Sequence, residues 1–465
     1  MLPSASAGPP SARRDRLLVV ILSLAIFIVT LAIRVRGIGE HFWLLEDQMR
    51  DWGIALRPFT QLPLVGSPTH VGGYTIGPAF YWILWLIRVT FGPWFHDLPH
   101  GGGIGQATLT SAVDVVLFAA VWKRTQSPWL GVTAVAVLAT ASFPLSLAAV
   151  IWNPVMGATL SELAIALVVL GWADRSLART GIVAAVAWSA VHAYTGAIFV
   201  ALGVFAALVL EPLLRRDRRA AARVALAVAA VVVLLQVPYA VHAWRSGPGP
   251  GGMDAVSGSI AQIVTGRAPA RFAVSASGYA TAVNYDVAGP WSVPAIGWVM
   301  LGCALLLAFA YRRDPVLLVV VLLPQVLAVV GFAFWLSGLD PYFYLPIMPA
   351  AVLTLTLALP GVLPSRAARP VAVAMLAAAL IAAPFRVRSA TLFQLPEYGA
   401  LVRGARTIIS MGTPIQEITT AFDLPQPFAP IFIYRILGGQ FDPHSPWTAE
   451  IEPGGRVEFH RVAPQ

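Results

Sequence analysis

The sequence has almost no cysteine and almost no lysine: Cys303 and Lys123 are the single residues of each kind among 465. One cysteine cannot form a disulfide within the chain, nor a metal site built from several cysteines. The net charge of +9 therefore comes from arginine. The arginines cluster in short loops between apolar segments, which is the pattern of the positive-inside rule. We therefore expect no nucleic-acid partner.

Charged residues of both signs are also scarce. They make up 11% of the chain, against 58% hydrophobic residues, whereas soluble proteins carry about 25% charged residues. Several apolar runs approach the roughly 20 residues that a helix needs to span a bilayer. Because the backbone must satisfy its own hydrogen bonds in lipid, the composition predicts an all-α polytopic membrane protein.

The distribution of arginine predicts about eleven crossings within residues 1–385. Leu17–Arg34 follows Arg13, Arg14 and Arg16, which indicates a retained first helix with a cytoplasmic N-terminus. Ile76–Phe91 is short and is predicted not to cross, while Gly181–Leu210 is predicted to form a hairpin with His192 near its apex. The other predicted crossings are 106–122, 129–151, 155–173, 221–239, 291–311, 316–336, 343–363 and 371–385. Residues 37–75 and 241–290 are then the two large outside loops.

Residues 386–465 are more polar and are predicted to form a small extracytoplasmic α/β domain. Pro396–Met411 is predicted to be a helix, and Pro453-Gly454-Gly455 a turn that pairs two strands. The predicted strands are Ile415–Phe422, Ile431–Ile436, Thr448–Ile451 and Val457–Val462.

The most informative stretch is Leu44–Asp51, just beyond the first apolar segment. It places three carboxylates and an arginine near the expected membrane surface, although the chain has only 22 acidic residues. We interpret Asp47 as a general base, whose basicity partial desolvation would increase. The alternative is that Glu46 and Asp47 only form an acidic helix N-terminus, which the helix dipole favours.

The predicted topology brings further polar residues to the same membrane face as Asp47. One of them, His192, has the alternative interpretation of a packed or hydrogen-bonded histidine. Asp114 lies inside an apolar segment instead, and it is either a functional intramembrane acid or the partner of Arg88. The basic candidates for stabilising a leaving phosphate are Arg50, His192, Arg245, Arg267 and Arg271. The residues expected to line a substrate cavity are Glu46, Gln48, Arg50, Asp51, His70, Tyr74, Tyr81, Asn153, His192, Tyr342 and Tyr344.

An ordered series of short segments resembles one enzyme family. It begins with Asp47-Gln48-Met49-Arg50-Asp51 and continues through Leu62–Pro68, Gly77–Trp82, Trp152-Asn153-Pro154, Ala190-Val191-His192 and Tyr342–Pro349. This set resembles bacterial family 39-like glycosyltransferases of the GT-C superfamily, which are relatives of protein O-mannosyltransferases and of the lipid A aminoarabinose transferase.

The resemblance implies a GT-C fold and transfer of a hexose or pentose from a polyprenyl-phosphate donor, with inversion at the sugar carbon. Asp47 takes the position of the family's catalytic aspartate. The implied partners are the bilayer and an acceptor protein, lipid or polysaccharide, with no certain cofactor and a divalent cation left open. The implied location is the inner (plasma) membrane, with the active site and the C-terminus extracytoplasmic.

Two other functions remain compatible with the sequence. One is a transporter or flippase of a lipid-linked sugar, although transporters often show internal repeats and this sequence has no clear one. The other is a related enzyme that moves a phosphate-containing group or a larger glycan. Movement of substrate without a new glycosidic bond would distinguish the transporter from the glycosyltransferase.

Overall fold

The computed structural model describes residues 9–42, 44–69, 73–95, 97–174, 176–246, 268–288, 293, 295–335, 339–390, 397–424 and 428–462. In these residues the chain is mainly helical, with one small sheet near the C-terminus. The α-helices up to residue 390 are α1 (Pro9–Arg34), α2 (Glu46–Ala55), α3 (Ala79–Phe91), α4 (Ile104–Thr125), α5 (Pro128–Ala139), α6 (Ser142–Ser146), α7 (Asn153–Val169), α8 (Leu177–Ala193), α9 (Ile198–Leu214), α10 (Arg218–Ser246), α11 (Ala268–Val283), α12 (Ile296–Ala310), α13 (Pro315–Phe332), α14 (Met348–Val362) and α15 (Ser365–Ala390).

Within the described ranges, seven helical segments are long and apolar enough to cross a membrane. They are Leu17–Arg34, Leu98–Thr125, Thr195–Leu214, Arg218–Ser246, Pro315–Phe332, Pro341–Val362 and Arg366–Arg388. Five shorter apolar helices accompany them: α3, α5, α7, α8 and α12. The prediction of a polytopic, helical membrane protein is confirmed, and the chain is an integral membrane protein. The count of eleven crossings and their direction stay predictions.

The predicted hairpin over Gly181–Leu210 is confirmed as the pair α8 and α9. The two helices are separated by a short 3-10 turn at Thr195–Ala197, and His192 lies in the last turn of α8. The segment Ile76–Phe91 contains only the 13-residue α3. At 1.5 Å per residue, α3 is about 20 Å long, which is less than the hydrocarbon core of about 30 Å.

The segment predicted to cross at residues 129–151 is not one continuous helix, and its crossing stays a prediction. Helix α5 ends at Ala139, and Ala141 then adopts an extended conformation with ψ 142° before the short α6. Residues 147–152 follow without a regular helix. Their backbone is tolerated because these residues pack inside the protein, where Leu147, Val150 and Ile151 are buried.

The described C-terminal residues form a small α/β unit, as predicted. It contains α16 (Tyr398–Ser410), β1 (Glu417–Thr420), α17 (Ala429–Ile436), β2 (Trp447–Ile451) and β3 (Val457–Arg461). Strand β2 pairs in parallel with β1 and antiparallel with β3. The predicted turn at Pro453–Gly455 joins β2 and β3, with Gly454 and Gly455 both at positive φ.

The predicted strand over Ile431–Ile436 is wrong, because these residues form α17. The β-branched and aromatic residues favour a strand by propensity alone. Pro430 lies in the first turn, where proline is well tolerated in a helix. Burial of Ala429, Pro430, Ile433 and Tyr434 follows a helical spacing. Packing of this face against the sheet and α16 therefore outweighs the strand propensity.

The proposed alternative partner of Asp114 is also wrong. Its Oδ2 accepts a hydrogen bond from Arg34 Nη1 at 2.5 Å, not from Arg88. Arg34 ends α1 and Asp114 lies in the middle of α4, so the two helices are joined inside the membrane part. Arg88 and Asp114 both lie in apolar helices. The sequence alone cannot show which arginine lies next to Asp114 once the helices have packed.

The C-terminal unit docks on the turn that precedes α2. The Gly399 backbone N–H donates to the Glu40 carbonyl at 3.2 Å, and Arg403 Nη1 contacts both Glu40 carboxylate oxygens at 2.9 and 3.0 Å. The rings of Phe42 and Tyr398 pack edge to face at 5.4 Å. This contact lies only a few residues before the acidic stretch.

Candidate active site

Helix α2 presents the acidic stretch. It begins at Glu46 after an extended Leu45, so Glu46 and Asp47 occupy its first turn, where the dipole favours carboxylates. Both interpretations of the acidic cluster are thus compatible with the helix. The buried face of α2 comprises Gln48, Met49, Asp51, Trp52 and Ala55, and it leaves Asp47 on the opposite edge.

Asp47 is half exposed, with 42% of its side chain accessible. Its Oδ1 accepts from Arg50 Nη1 at 2.7 Å, and its Oδ2 accepts from Trp152 Nε1 at 3.2 Å. Each oxygen therefore has one donor and keeps further lone-pair capacity, since a carboxylate offers about four acceptor positions. The carboxylate is oriented and still accessible.

Asp51 has the opposite environment. Its side chain is fully buried, and Oδ1 accepts from Arg50 Nε at 2.9 Å and from Tyr81 at 3.0 Å. Oδ2 accepts from Ser67 Oγ at 3.3 Å. Burial raises the pKa of Asp51, and the hydrogen bonds from Arg50 and Tyr81 oppose part of that effect. Asp51 is therefore a buried anchor for Arg50.

Arg50 connects the two aspartates. It donates Nε to Asp51 and Nη1 to Asp47, and 35% of its side chain remains accessible. These two bonds use two of the five N–H groups of a guanidinium. Arg50 thus retains donors for an anionic group next to Asp47.

An aromatic wall stands beside Asp47. Trp152 packs on Tyr342 with ring centroids 5.0 Å apart, and Tyr342 stacks on Phe343 at 4.7 Å. Asn153 follows Trp152 as the first residue of α7. The phenol of Tyr342 lies within electrostatic range of the Asp47 and Asp340 carboxylates. The structure therefore brings Trp152, Asn153 and Tyr342 to the same place as Asp47.

Gln48 fixes the other side of this arrangement. Its side chain is fully buried, and its Oε1 accepts from the Ile151 backbone N–H at 3.2 Å. Two consecutive residues of α2 are therefore bonded to two consecutive residues of the 147–152 segment. Gln48 supports the site from behind and does not face the accessible side.

His192 is packed and hydrogen-bonded, which supports the alternative interpretation of this residue. Its Nε2 lies 3.0 Å from Gln236 Oε1, which also accepts from Trp188 Nε1 at 2.9 Å. Because that oxygen is an acceptor, His192 carries its proton on Nε2. Gln236 Nε2 in turn donates to the Ile76 carbonyl at 2.7 Å. A phosphate contact by His192 stays a prediction.

The turn before α3 packs directly on His192. A Cβ atom on Gly77 would lie 2.2 Å from His192 Cε1, so only glycine fits there. The turn leads to Tyr81, which donates to Asp51. His192 and Gln236 therefore support the site through this turn, with Tyr81 as the connection.

Residues 66–69 and 73–75 pair with each other beside Asp51. Gly66 N–H donates to Thr75 at 3.1 Å, and Thr75 N–H donates to Ser67 at 2.9 Å. Tyr74 is exposed, with its ring 6.2 Å from that of His242. His70 lies outside the described residues.

Some predicted site residues lie apart from Asp47. Tyr344 is fully buried and donates to the Ser275 carbonyl at 2.8 Å. Arg271 donates to the Trp335 carbonyl, and Arg245 lies in the last turn of α10. Arg267 lies outside the described residues. Glu46 is exposed at the start of α2.

Three residues of the site were not predicted as site residues: Trp152, Ser67 and Gln236. Trp152 and Ser67 both lie in the segments that carry the family resemblance, but nothing in their type marks them as partners of carboxylates. Gln236 is a polar residue within the apolar α10, which is the signal that could have identified it.

Among the described residues, no group of three or more His, Cys, Asp or Glu side chains could hold a metal ion. A cavity of about 530 Å³ is present elsewhere, near Arg215 and Asp217. It lies at the ends of α7 and α9 and the starts of α8 and α10, which are the helix ends opposite to Asn153 and His192. It is therefore separate from the Asp47 group.

No protein-family model matches the chain, and no curated protein matches it. Among solved structures, it is similar to the oligosaccharyltransferase of Archaeoglobus fulgidus, crystallised with zinc and sulfate, at 12% identity and a TM-score of 0.47. The match covers 90% of this chain and 62% of the archaeal one. At this similarity, an assignment of function depends on the Asp47 group itself.

Proposed function

We propose that this protein is a membrane glycosyltransferase of the GT-C type, with Asp47 as its general base. The proposed donor is a polyprenyl-phosphate-linked hexose or pentose, and the acceptor is a hydroxyl group on the extracytoplasmic side. The observation that supports the proposal is the geometry of Asp47: an accessible carboxylate, oriented by Arg50 and Trp152, beside an aromatic wall.

In the proposed reaction, the acceptor hydroxyl donates a hydrogen bond to Asp47. As its oxygen attacks the anomeric carbon, the proton passes to the Asp47 carboxylate. The bond between that carbon and the phosphate oxygen breaks, and the phosphate leaves with the electron pair. Attack opposite to the leaving group inverts the sugar carbon. The product is a new glycoside, together with polyprenyl phosphate.

Asp47 suits the role of base better than Asp51. A base must reach the proton that it removes, at a heavy-atom distance of about 2.6–3.2 Å. Asp47 is accessible, whereas Asp51 is fully buried and accepts three hydrogen bonds from protein groups. Asp51 is proposed to position Arg50 and, through it, Asp47.

Arg50 is proposed to face the donor phosphate. Its free N–H groups lie beside the carboxylate that activates the acceptor, and a guanidinium matches phosphate oxygens well. Asp51 holds this guanidinium by its Nε, so Arg50 needs little reorganisation when the charge on the phosphate increases. The aromatic wall is proposed to hold the sugar ring in place.

A transfer assay tests the proposal. Purified protein in lipid receives radiolabelled polyprenyl-phosphate sugars, with membrane extract as acceptor. We expect wild type to move label into a new product, and Asp47→Asn to lose transfer by at least about 100-fold, in the range typical of a general base. Asp423→Asn, the same change at an exposed aspartate, is the matched control.

Near-normal transfer by a folded Asp47→Asn variant would contradict the assignment of the base. Release of labelled sugar to water by wild type, with no glycoside formed, would contradict the transferase. A parallel liposome assay follows the donor across the bilayer, and movement without a new bond would identify the transporter instead.

A further inference from the structure

A second group of ionisable residues lies inside the membrane part, and the Asp47 reaction does not use it. It consists of Arg34 on α1, Asp114 on α4 and Glu162 on α7, which are 6%, 0% and 3% exposed. Arg34 Nη1 donates to Asp114 Oδ2 at 2.5 Å and to Ser111 Oγ at 3.0 Å. A chain rarely buries three ionisable side chains in a membrane without a use for them.

The charges of this group do not balance when all three residues are ionised. Two carboxylates against one guanidinium leave a net charge of −1 in a low-dielectric interior, where an uncompensated charge is strongly unfavourable. Arg34 is bonded to Asp114 and lines the same small cavity as Glu162. One additional positive charge is needed to neutralise the group.

The hydrogen bonds of the two carboxyl groups show where that charge fits. Asp114 already accepts from Arg34, whereas Glu162 Oε1 is buried without a hydrogen-bond partner among the described residues. A buried carboxyl group that has no cation bonded to it is favoured in its neutral form. Glu162 is therefore the better site for the proton.

There is also room for water next to Glu162. A cavity of about 30 Å³ is lined by Arg34, Thr110, Thr159 and Glu162, with apolar side chains on its other walls. A water molecule needs roughly 10–15 Å³ of such volume. Arg34 and Glu162 both line this cavity, and their side chains include hydrogen-bond donors and acceptors. Within the described residues, Arg34 Nε, Asp114 Oδ1 and Glu162 Oε1 are buried without a hydrogen-bond partner.

The site is poorly suited to a metal ion. The Thr110 and Thr159 hydroxyls donate hydrogen bonds to the backbone carbonyls of Gln106 and Val155, respectively. Both hydroxyl oxygens also accept a hydrogen bond from Gln106 Nε2 at 3.3 Å. Hard cations take about six or more oxygen ligands. Few oxygens remain, and the Arg34 guanidinium repels a cation. A proton needs only one oxygen.

We propose that Asp114 and Glu162 form an intramembrane proton-binding site, in which Glu162 carries the proton and Arg34 is paired with the ionised Asp114. The site joins α1, α4 and α7. The chain runs from α1 to the acidic stretch, and α7 begins next to Trp152, so the protonated group braces two of the helices that lead to the Asp47 site. Loss of the proton would leave a repelling pair of carboxylates between these helices.

Infrared difference spectroscopy of the purified protein in lipid nanodiscs, exchanged between H2O and D2O, tests this proposal. We expect a carbonyl band of a protonated carboxyl group at neutral pH, shifted by deuterium. The band should lose the intensity of one carboxyl group in Glu162→Gln, and also in Asp114→Asn, where Glu162 ionises to neutralise Arg34. Glu458→Gln, the same change at an exposed glutamate, should keep the band.

A band with unchanged intensity in Glu162→Gln, or no such band in wild type, would overturn the proposal. Loss of the wild-type band on adding Na+ in place of K+ would also overturn it, because the site would then hold a metal ion. If Glu162→Gln does not fold, reaction of wild type with dicyclohexylcarbodiimide provides the second measurement, since this reagent modifies protonated carboxyl groups. Mass spectrometry should find the adduct on Glu162, and an adduct on Asp114 alone would contradict the assignment.

Discussion

At the scale of single residues, the two aspartates of α2 are chemically identical but have different surroundings. Asp47 is accessible and has two donors, whereas Asp51 is buried and has three. The sequence analysis named both aspartates as site residues and proposed Asp47 as the base. It could not show the difference in burial, because burial depends on Ser67, Tyr81 and Trp152, which come from distant parts of the chain.

Trp152→Phe tests the orientation of Asp47. Phenylalanine keeps an aromatic ring beside Tyr342 but loses the indole N–H that donates to Asp47. A hydrogen bond to a charged group contributes about 1.5–3 kcal/mol, so we expect kcat to fall roughly 10- to 100-fold, with KM changed much less. Trp298→Phe, at an exposed tryptophan, is the control. Unchanged kcat in Trp152→Phe would rule out the orienting role.

Asp51→Asn tests the buried carboxyl group through pH. Burial raises the pKa of Asp51 in the folded state, so between the ordinary pKa of about 3.9 and the raised value the folded state binds more protons than the unfolded state. Stability conferred at low pH is therefore lost as the pH rises through that window. We expect the fall in Tm over this range to be smaller in Asp51→Asn than in wild type or in Asp423→Asn. Parallel curves for all three proteins would show that Asp51 is not responsible.

At the scale of elements, hydropathy predicted most of the helices and the α8–α9 hairpin, since a long apolar run in a membrane protein can adopt few structures other than a helix. Hydropathy failed where tertiary packing determines the secondary structure. Residues 129–151 break after Ala139, and Ile431–Ile436 is helical because one face packs against its neighbours. The Asp114–Arg34 pair was missed because the partner of a buried charge depends on which helices are adjacent.

Gly77→Ala tests the turn between His192 and Tyr81. The added methyl group would lie 2.2–2.6 Å from atoms of the His192 ring, and such overpacking costs about 1–3 kcal/mol. We expect a lower Tm and weaker transfer. Gly53→Ala in α2 meets nothing within 4 Å, and removing a helical glycine should stabilise it by about 0.5–1 kcal/mol. If Gly77→Ala and Gly53→Ala have the same Tm, the close packing of Gly77 on His192 does not contribute to stability.

At the scale of the whole molecule, the C-terminal unit is attached to the membrane part next to the acidic stretch. The docking combines an exposed ion pair, Glu40 with Arg403, and a buried aromatic contact, Phe42 with Tyr398. Sequence composition separated this unit from the membrane part. The docking site itself was not predicted, because both contact surfaces are short and have no recognisable motif.

The two docking contacts should differ in strength. Arg403→Ala removes an exposed ion pair and should change stability by at most about 1 kcal/mol. Tyr398→Ala removes a large buried ring, with a cost of about 3 kcal/mol, so we expect the C-terminal unit to detach more often. Limited proteolysis measures the detachment as faster cleavage after residue 390. Equal cleavage of both variants would show that the aromatic contact does not hold the unit.

The paired bonds between α2 and the 147–152 segment have a practical consequence for engineering. Asp47 accepts a hydrogen bond from Trp152, and Gln48 accepts one from Ile151. Residues 44–52 and 147–153 therefore depend on each other, although about a hundred positions separate them in the chain. A chimaera that exchanges only one of these segments would put both hydrogen bonds at risk. Attempts to change substrate preference should therefore transplant both segments together, or leave both intact and vary the residues next to Tyr74.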